Sequence, residues 1–197
     1  MRILAFSDLH LSRARAEEIV AASRGADLVI GAGDFCNMRK GIAEAMGLLK
    51  GIEKPLVLVP GNNESLDELR MAAPQAAHVL HGQTVEIDGV RLFGIGGGIP
   101  VTPFGAWSWD LPEDKAAALL AGADRADVIV SHSPPKGLAD RTSQGLSVGS
   151  TAVRDAIARV QPKLTVCGHI HDCWGEEGRI GQTPVKNLGP TVNWFEI

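Results

Sequence analysis

Five short segments of this chain carry side chains that bind metal ions or move protons: Asp8-Leu9-His10, Gly33-Asp34, Gly61-Asn62-Asn63, Ser131-His132 and Gly168-His169-Ile170-His171. Their donors are carboxylates, amide oxygens and imidazoles, and four of the six histidines are among them. Such a hard-to-borderline donor set suits Mn²⁺, Fe or Zn²⁺. A carboxylate can bridge two ions where an imidazole cannot, so the set points to a two-metal centre. Two ions ~3.5–4 Å apart lower the pKa of a shared water and hold a phosphoryl group for in-line attack. The chemistry expected is metal-assisted hydrolysis of a phosphate ester.

Each segment follows a short apolar run rich in β-branched residues: Ile3–Phe6, Leu28–Ile30, Leu56–Val59, Val128–Val130 and Leu164–Val166. These read as buried strands. Ligands that follow strands gather at the carboxyl edge of a sheet. If the backbone stays extended there, alternate residues point to one side, so Asp8 pairs with His10, and His169 with His171. Helical patterns lie between the strands at Ala14–Ser23, Gly41–Leu49, Leu66–Met71, Glu113–Leu120 and Thr151–Val160. Ser65 and Glu68 have capping-box spacing, which starts a helix just after Asn62-Asn63-Glu64. Asp88-Gly89 joins Thr84–Ile87 to Val90–Ile95 as a hairpin, and Pro184–Leu188 and Val192–Phe195 complete the strands. The pattern predicts two mixed sheets with helices packed outside.

With 197 residues, 45% of them hydrophobic, the chain has the size of a single domain spanning 1–197. No apolar run approaches the ~18 residues of a membrane span. Ser7 and Asp8 interrupt the first apolar run too early for a secretory signal. Cys36, Cys167 and Cys173 form no C-x-x-C pair and read as reduced thiols, so a cytoplasmic protein is expected. Nineteen basic against 23 acidic residues give a net charge of −4. That balance disfavours a broad nucleic-acid surface. The expected partner is a small phosphate-ester substrate, and the composition leaves room for a homo-oligomer.

In these residues the chain resembles the calcineurin-like metallophosphoesterases, whose blocks run D-x-H, G-D, G-N-H, a lone H, then G-H-x-H. All five occur in order, and His132-Ser133-Pro134-Pro135 is similar to the small bacterial members. The resemblance implies a four-layer αββα sandwich, with a metal-bridging hydroxide attacking the phosphate ester at a dinuclear site. On matching positions it implies that Asp8, His10 and His171 hold one ion, that Asn62, His132 and His169 hold the other, and that Asp34 bridges them. Two divalent ions are then expected, Mn²⁺ first, with Fe, Zn²⁺ or Ni²⁺ as alternatives. Asp34, Asn62, Asn63 and His132 are the expected catalytic residues.

The chain departs from the pattern at Asn63, where the family carries the histidine credited with protonating the leaving oxygen. An amide donates a hydrogen bond but does not titrate near neutrality, so general-acid help worth ~10²–10⁴-fold is missing. A phosphodiesterase preference follows, as in similar family members that lack this histidine. The competing readings are a non-catalytic metal-binding scaffold of the same fold and a single-strand nuclease. Asn37-Met38 stands where family protein phosphatases carry Asp-Arg, which lowers that substrate class. Gly94-Ile95-Gly96-Gly97-Gly98 reads as a tight turn rather than a dinucleotide fingerprint. Four further features stay open. Trp107 and Trp109 either pack a loop or wall a pocket, and Arg141 belongs to a solvated loop or to a lid over phosphate. Asn37 forms a turn or touches substrate, and His78 and His81 have surface or packing roles.

Overall fold

In the computed structural model, which describes residues 1–197, side chains along the first strand alternate between two cores. Ile3 and Ala5 face one way, Leu4 and Phe6 the other, and all four are buried. A strand buried on both faces belongs inside a layered fold. Strand β1 (Arg2–Phe6) pairs in parallel with β2 (Leu28–Gly31) at Ile3↔Leu28 and antiparallel with β11 (Asn193–Glu196) at Ile3↔Phe195. With β3 (Leu56–Leu58) and β4 (His78–Val79) they form a sheet in the order β11-β1-β2-β3-β4.

The second sheet has the order β5-β6-β7-β8-β10-β9. Its strands are β5 (Gln83–Ile87), β6 (Val90–Ile95), β7 (Val128–Ser131), β8 (Leu164–Cys167), β9 (Glu177–Ile180) and β10 (Thr183–Asn187). The hairpin β5–β6 turns at Asp88 and Gly89, both left-handed, as a two-residue primed turn requires. Strands β6, β7, β8 and β10 run parallel, while β5 and β9 are antiparallel edges.

Aliphatic side chains from both sheets meet between them, among them Val57 and Ile30 from the first and Leu92, Val130 and Val166 from the second. Helices α1 (Arg13–Ser23), α2 (Ile42–Leu48) and α3 (Leu66–Ala72) cover the outer face of the first sheet through Ile19, Met46 and Leu69. Helices α4 (Glu113–Leu120) and α5 (Thr151–Val160) cover the second through Leu120, Val153 and Ile157. The architecture is the expected four-layer αββα sandwich. Ser65 and Glu68 form the expected capping box at the start of α3. Helix α5 ends at Gln161, in a left-handed conformation just before Pro162.

Strands β4 and β9 have no counterpart in the sequence reading. Strand β4 is two residues long, and β9, Glu-Gly-Arg-Ile, buries only Ile180. Both are set by pairing with a neighbour rather than by their own hydrophobic pattern. No helix is long and apolar enough to cross a membrane. Because Leu92 is fully buried between the sheets, Leu92→Ala is expected to lower unfolding free energy by about 2–5 kcal/mol. Urea denaturation followed by circular dichroism checks this, and a loss well under 1 kcal/mol would place Leu92 outside the packed inter-sheet layer.

Candidate metal centre

Strands β1, β2, β3, β7 and β8 end at one edge of the sandwich, and the five chemistry-bearing segments are the loops that leave them. Extended backbone does not orient the ligands there, contrary to the alternation argument. Asp8, His10, Asp34 and His169 have φ of 52°, 45°, 58° and 71°, and His171 opens a single 3₁₀ turn. Left-handed backbone at non-glycine residues costs about 1–3 kcal/mol each and persists only where its surroundings enforce it. These turns fold the chain back sharply, so that loops from both sheets point inward at one place.

Two donor groups result, each with ligand atoms within 4.8 Å of one another: Asp8, His10, Asp34 and His171; and Asp34, His132 and His169. Asp34 belongs to both. In the first, His10 Nε2 lies 3.1 Å from His171 Nε2 and 3.7 Å from Asp34 Oδ2, and His171 Nε2 lies 3.7 Å from Asp8 Oδ1. In the second, His132 Nε2 is 3.4 Å from Asp34 Oδ1, and Asn62 Oδ1 faces His132 Nε2 at 3.3 Å and His169 Nδ1 at 3.0 Å. His169 and His171 therefore serve different groups rather than a common one. In the second group Asp34 and His132 are buried and His169 is nearly so, whereas His10 and His171 of the first are partly open to solvent.

The imidazoles are held with the required nitrogen facing inward. His132 Nδ1 is 2.8 Å from the Ala32 carbonyl, which leaves Nε2 for the centre. His10 Nδ1 is 2.8 Å from Asn37 Oδ1 and 3.2 Å from the Cys36 carbonyl, so Asn37 orients a histidine. Asn63 is committed at both ends of its amide. Its Nδ2 donates to Asp34 Oδ2 at 2.7 Å, its backbone N–H donates to Asp34 Oδ1 at 2.9 Å, and its Oδ1 accepts from the Met38 N–H at 2.8 Å. The two loops approach so closely that a Cβ on Gly61 would stand 2.0 Å from Asp34 Oδ1, and one on Gly168 would stand 2.5 Å from Asp8 Oδ2. Glycine is required at both positions by contact alone.

Three residues that sequence reasoning missed support this shell. Fully buried Glu64 accepts from the N–H groups of Asp34 (2.8 Å) and Gly61 (2.6 Å) on Oε1, and from those of Phe35 (3.1 Å) and Cys36 (3.3 Å) on Oε2. Ser7 Oγ and Trp174 Nε1 donate to Asp8 Oδ2 at 2.5 and 3.2 Å, and the Trp174 ring tilts over His171 at 4.5 Å. The available signals were adjacency of Glu64 to Asn63 and of Ser7 to Asp8, and the three-residue step from His171 to Trp174.

Electrostatics match the geometry. Burial alone would raise Asp34, but His132's charge and hydrogen bond hold it well below the usual carboxylate range. Burial would likewise lower His132, yet the Asp34 carboxylate pushes it up to about 9. Burial, reinforced by His132, drives His169 down to about 3, so it stays a neutral donor. Burial and then Asp34's charge push Glu64 up to about 7 against the pull of the Gly61 N–H. Two carboxylates, four imidazoles and an amide oxygen converge without a thiol, which is donor chemistry that fits divalent Mn, Fe or Zn.

Beside the donors lies a cavity of about 370 Å³ whose walls include Asn63, Phe104, Trp107, Thr142 and Asp172. Trp107 stacks on Phe104 at 5.5 Å and 13°, so it walls the pocket. Trp109 instead packs on His81, whose Nδ1 accepts from the Gly96 N–H. Arg141 bonds the Gly145 carbonyl in its own loop and does not reach the centre. His78 sits exposed in edge strand β4.

The family model for calcineurin-like phosphoesterases matches residues 1–173. Metallophosphoesterase domain-containing protein 1 of Homo sapiens is 32% identical over 125 residues, covering 60% of this chain and 36% of that protein, and its Mus musculus counterpart matches equally. The chain thus spans about a third of the length of the curated relatives it matches. Among solved structures, TT1561 of Thermus thermophilus superposes with TM-score 0.75 at 18% identity, covering 99% of this chain and 98% of that one. A dimetal phosphatase from Danio rerio superposes with TM-score 0.65 at 13% identity, covering 96% and 88%. At these identities the structural matches show a shared fold.

Two outcomes follow from the shell. Glu64→Gln turns an amide donor toward two of the four buried N–H groups and is expected to cost about 2–3 kcal/mol in urea denaturation. It should also weaken Mn²⁺ binding about 10–100-fold, and unchanged values for both would remove Glu64 from this role. Second, because His132 holds a proton below about pH 9 in the metal-free site, metal binding must displace it. Affinity should therefore rise with pH up to about 9. Calorimetry at pH 7.5 in buffers of different ionisation enthalpy should show about one proton released when the group containing His132 is filled, and His132→Asn should abolish that release.

Proposed function

Since the chain belongs to the calcineurin-like phosphoesterase family, whose members are metal-dependent phosphate-ester hydrolases, we propose that it is a phosphodiesterase working with two divalent metal ions, Mn²⁺ being the first candidate. The observation that carries this reading is the sharing of Asp34 between the two donor groups. Asp8, His10 and His171 would hold one ion with Asp34, and Asn62, His132 and His169 the other. Two bound cations would supply an activated water and charge neutralisation for the phosphoryl oxygens.

The chain's own residues account for the rest. Asn63 acts as a positioning group: its two donors fix both oxygens of Asp34 between the donor groups. Asn62 is turned by the bond from its Nδ2 to Ser108 Oγ, 2.9 Å, so that Oδ1 faces His132 and His169. The solvent-facing His10 and His171 mark the side from which substrate arrives.

Two features favour a diester over a monoester. No lysine or arginine lines the cavity, while Asp172 stands on its wall. The protein itself therefore offers no cation to pair with the second negative charge that a monoester carries and a diester does not. Asn63 also offers no titrating proton for a poor leaving oxygen. The substrate is expected to be a small diester rather than a nucleic-acid strand, because neither the cavity nor the net charge of −4 offers a basic track.

The test is hydrolysis of bis-p-nitrophenyl phosphate against p-nitrophenyl phosphate by metal-stripped protein resupplied with Mn²⁺, alongside Asp34→Asn. Metal-dependent diester cleavage, faster than monoester cleavage and lost in Asp34→Asn with the fold retained by circular dichroism, is expected. Equal diester rates in the variant and the parent would overturn the shared-carboxylate mechanism, and faster monoester cleavage would overturn the diester preference.

A further inference from the structure

The metal cavity does not end at its polar walls. A groove of about 630 Å³ opens beside it and shares Phe104, Thr142, His169 and Ile170 with it. Residues 100–104 and 142–148 form the two banks of the groove, with Val101, Pro103, Leu146 and Val148 among its lining. Val101, Phe104 and Leu146 are 58%, 51% and 57% exposed, and they are three of the chain's seven exposed large apolar side chains. Their clustering at one rim, contiguous with a chemical centre, marks a surface that gains by being covered.

Much of the polar backbone and side-chain surface of both banks is already occupied. The Thr102 N–H and Oγ1 donate to Asp110 Oδ2 at 2.9 and 2.8 Å. The Lys136 ammonium donates to the Ser147 carbonyl at 2.5 Å, the Thr142 N–H donates to the Leu146 carbonyl at 2.9 Å, and the Ser143 N–H donates to Asp172 at 2.8 Å. What remains for a ligand is mostly hydrocarbon, beside the Lys136 ammonium and the side chains of Ser143 and Gln144. A sugar or a second phosphate placed against that hydrocarbon would be desolvated with few partners.

We infer that the groove receives one ester arm of the substrate and that this arm is apolar, so that the protein hydrolyses phosphodiesters bearing a hydrophobic organic group. The inference rests on the phosphodiesterase reading and extends it from reaction to substrate class. A phosphoryl group among the donors of the metal cavity has one arm directed past Phe104 and Ile170, which both spaces share. Val101 and Leu146 then set specificity without touching the reacting atoms.

The experiment uses Mn²⁺-loaded protein and p-nitrophenyl diesters that share a leaving group but differ in the second arm: methyl, butyl, octyl and 5′-thymidyl. KM should fall from methyl to octyl by up to about fourfold per buried methylene, with kcat nearly constant. Val101→Asn and Leu146→Asn, both on exposed loops, should flatten the trend by raising KM for the octyl ester far more than for the methyl ester. Equal kcat/KM across the alkyl series, or a thymidyl ester preferred to octyl, would overturn the inference. Calorimetric binding of methyl- to octylphosphonate separates the two readings. Affinity rising with chain length and reduced in Leu146→Asn supports the groove even if no diester is turned over, an outcome that would overturn the phosphodiesterase reading alone.

Discussion

A fully buried carboxylate outside both donor groups holds this centre together. Glu64 accepts four backbone N–H groups, three from the loop after β2 and one from the loop after β3. Neither loop has a sheet or helix ladder to satisfy those donors, and unpaired buried N–H groups cost about 1–3 kcal/mol each. One side chain therefore fixes two loops relative to each other, and Asp34, Asn62 and Asn63 inherit their positions from it. The arrangement places Glu64 close behind Asp34, so that burial first and then the negative charge of Asp34 push its pKa up. That repulsion is tolerable only because N–H dipoles and the histidine side of the centre oppose it.

The same two loops are joined at their outer ends. The Arg39 guanidinium grips Glu68 through Nε at 2.7 Å and a terminal nitrogen at 3.0 Å, and Glu68 closes the capping box of α3. The Arg39 N–H reaches the Asn63 carbonyl at 2.8 Å. Rigidity of this kind lets Asp8, His10, Asp34 and His169 remain left-handed. The strain is local, and the opposing interactions are distributed over both sheets. Along the donors the environment grades from the dry His132 to the half-exposed His171. One end sets geometry and the other admits solute.

How much of this was legible in the sequence depended on the range of the interaction. The five central strands, the capping box and the Asp88-Gly89 hairpin were readable because each is encoded within a few residues. The convergence of the seven proposed ligands was readable because each follows a strand, and parallel strands deliver their ends to one edge. Strands β4 and β9 were not, since their pattern is polar and pairing alone forms them. The inward turn of the ligands was misread as extended alternation, because periodicity carries no information about a left-handed φ at Asp8 or His169. Glu64 was invisible for a related reason: a buried glutamate after an Asn pair looks like a solvated one until its N–H partners, up to 30 positions away, are in place. Asn37, left open as a turn residue or a substrate contact, orients His10, a bond spanning 27 positions.

Charge orders the events at the site. Asp8 and Asp34 lie within the donor groups, Glu64 stands behind them and Asp172 lies at the mouth. The cavity lining includes no lysine or arginine, and Arg141 is spent on its own loop. In that state the site attracts cations and repels phosphate. Anion binding would therefore follow metal loading, which would discharge the proton on His132 and reverse the local potential. On the proposed reading, a singly charged diester then needs no further protein cation, and its organic arm supplies the binding that remains. The polar cavity and the largely apolar groove beside it would divide those two tasks between the charge of the phosphoryl group and the area of the group attached to it.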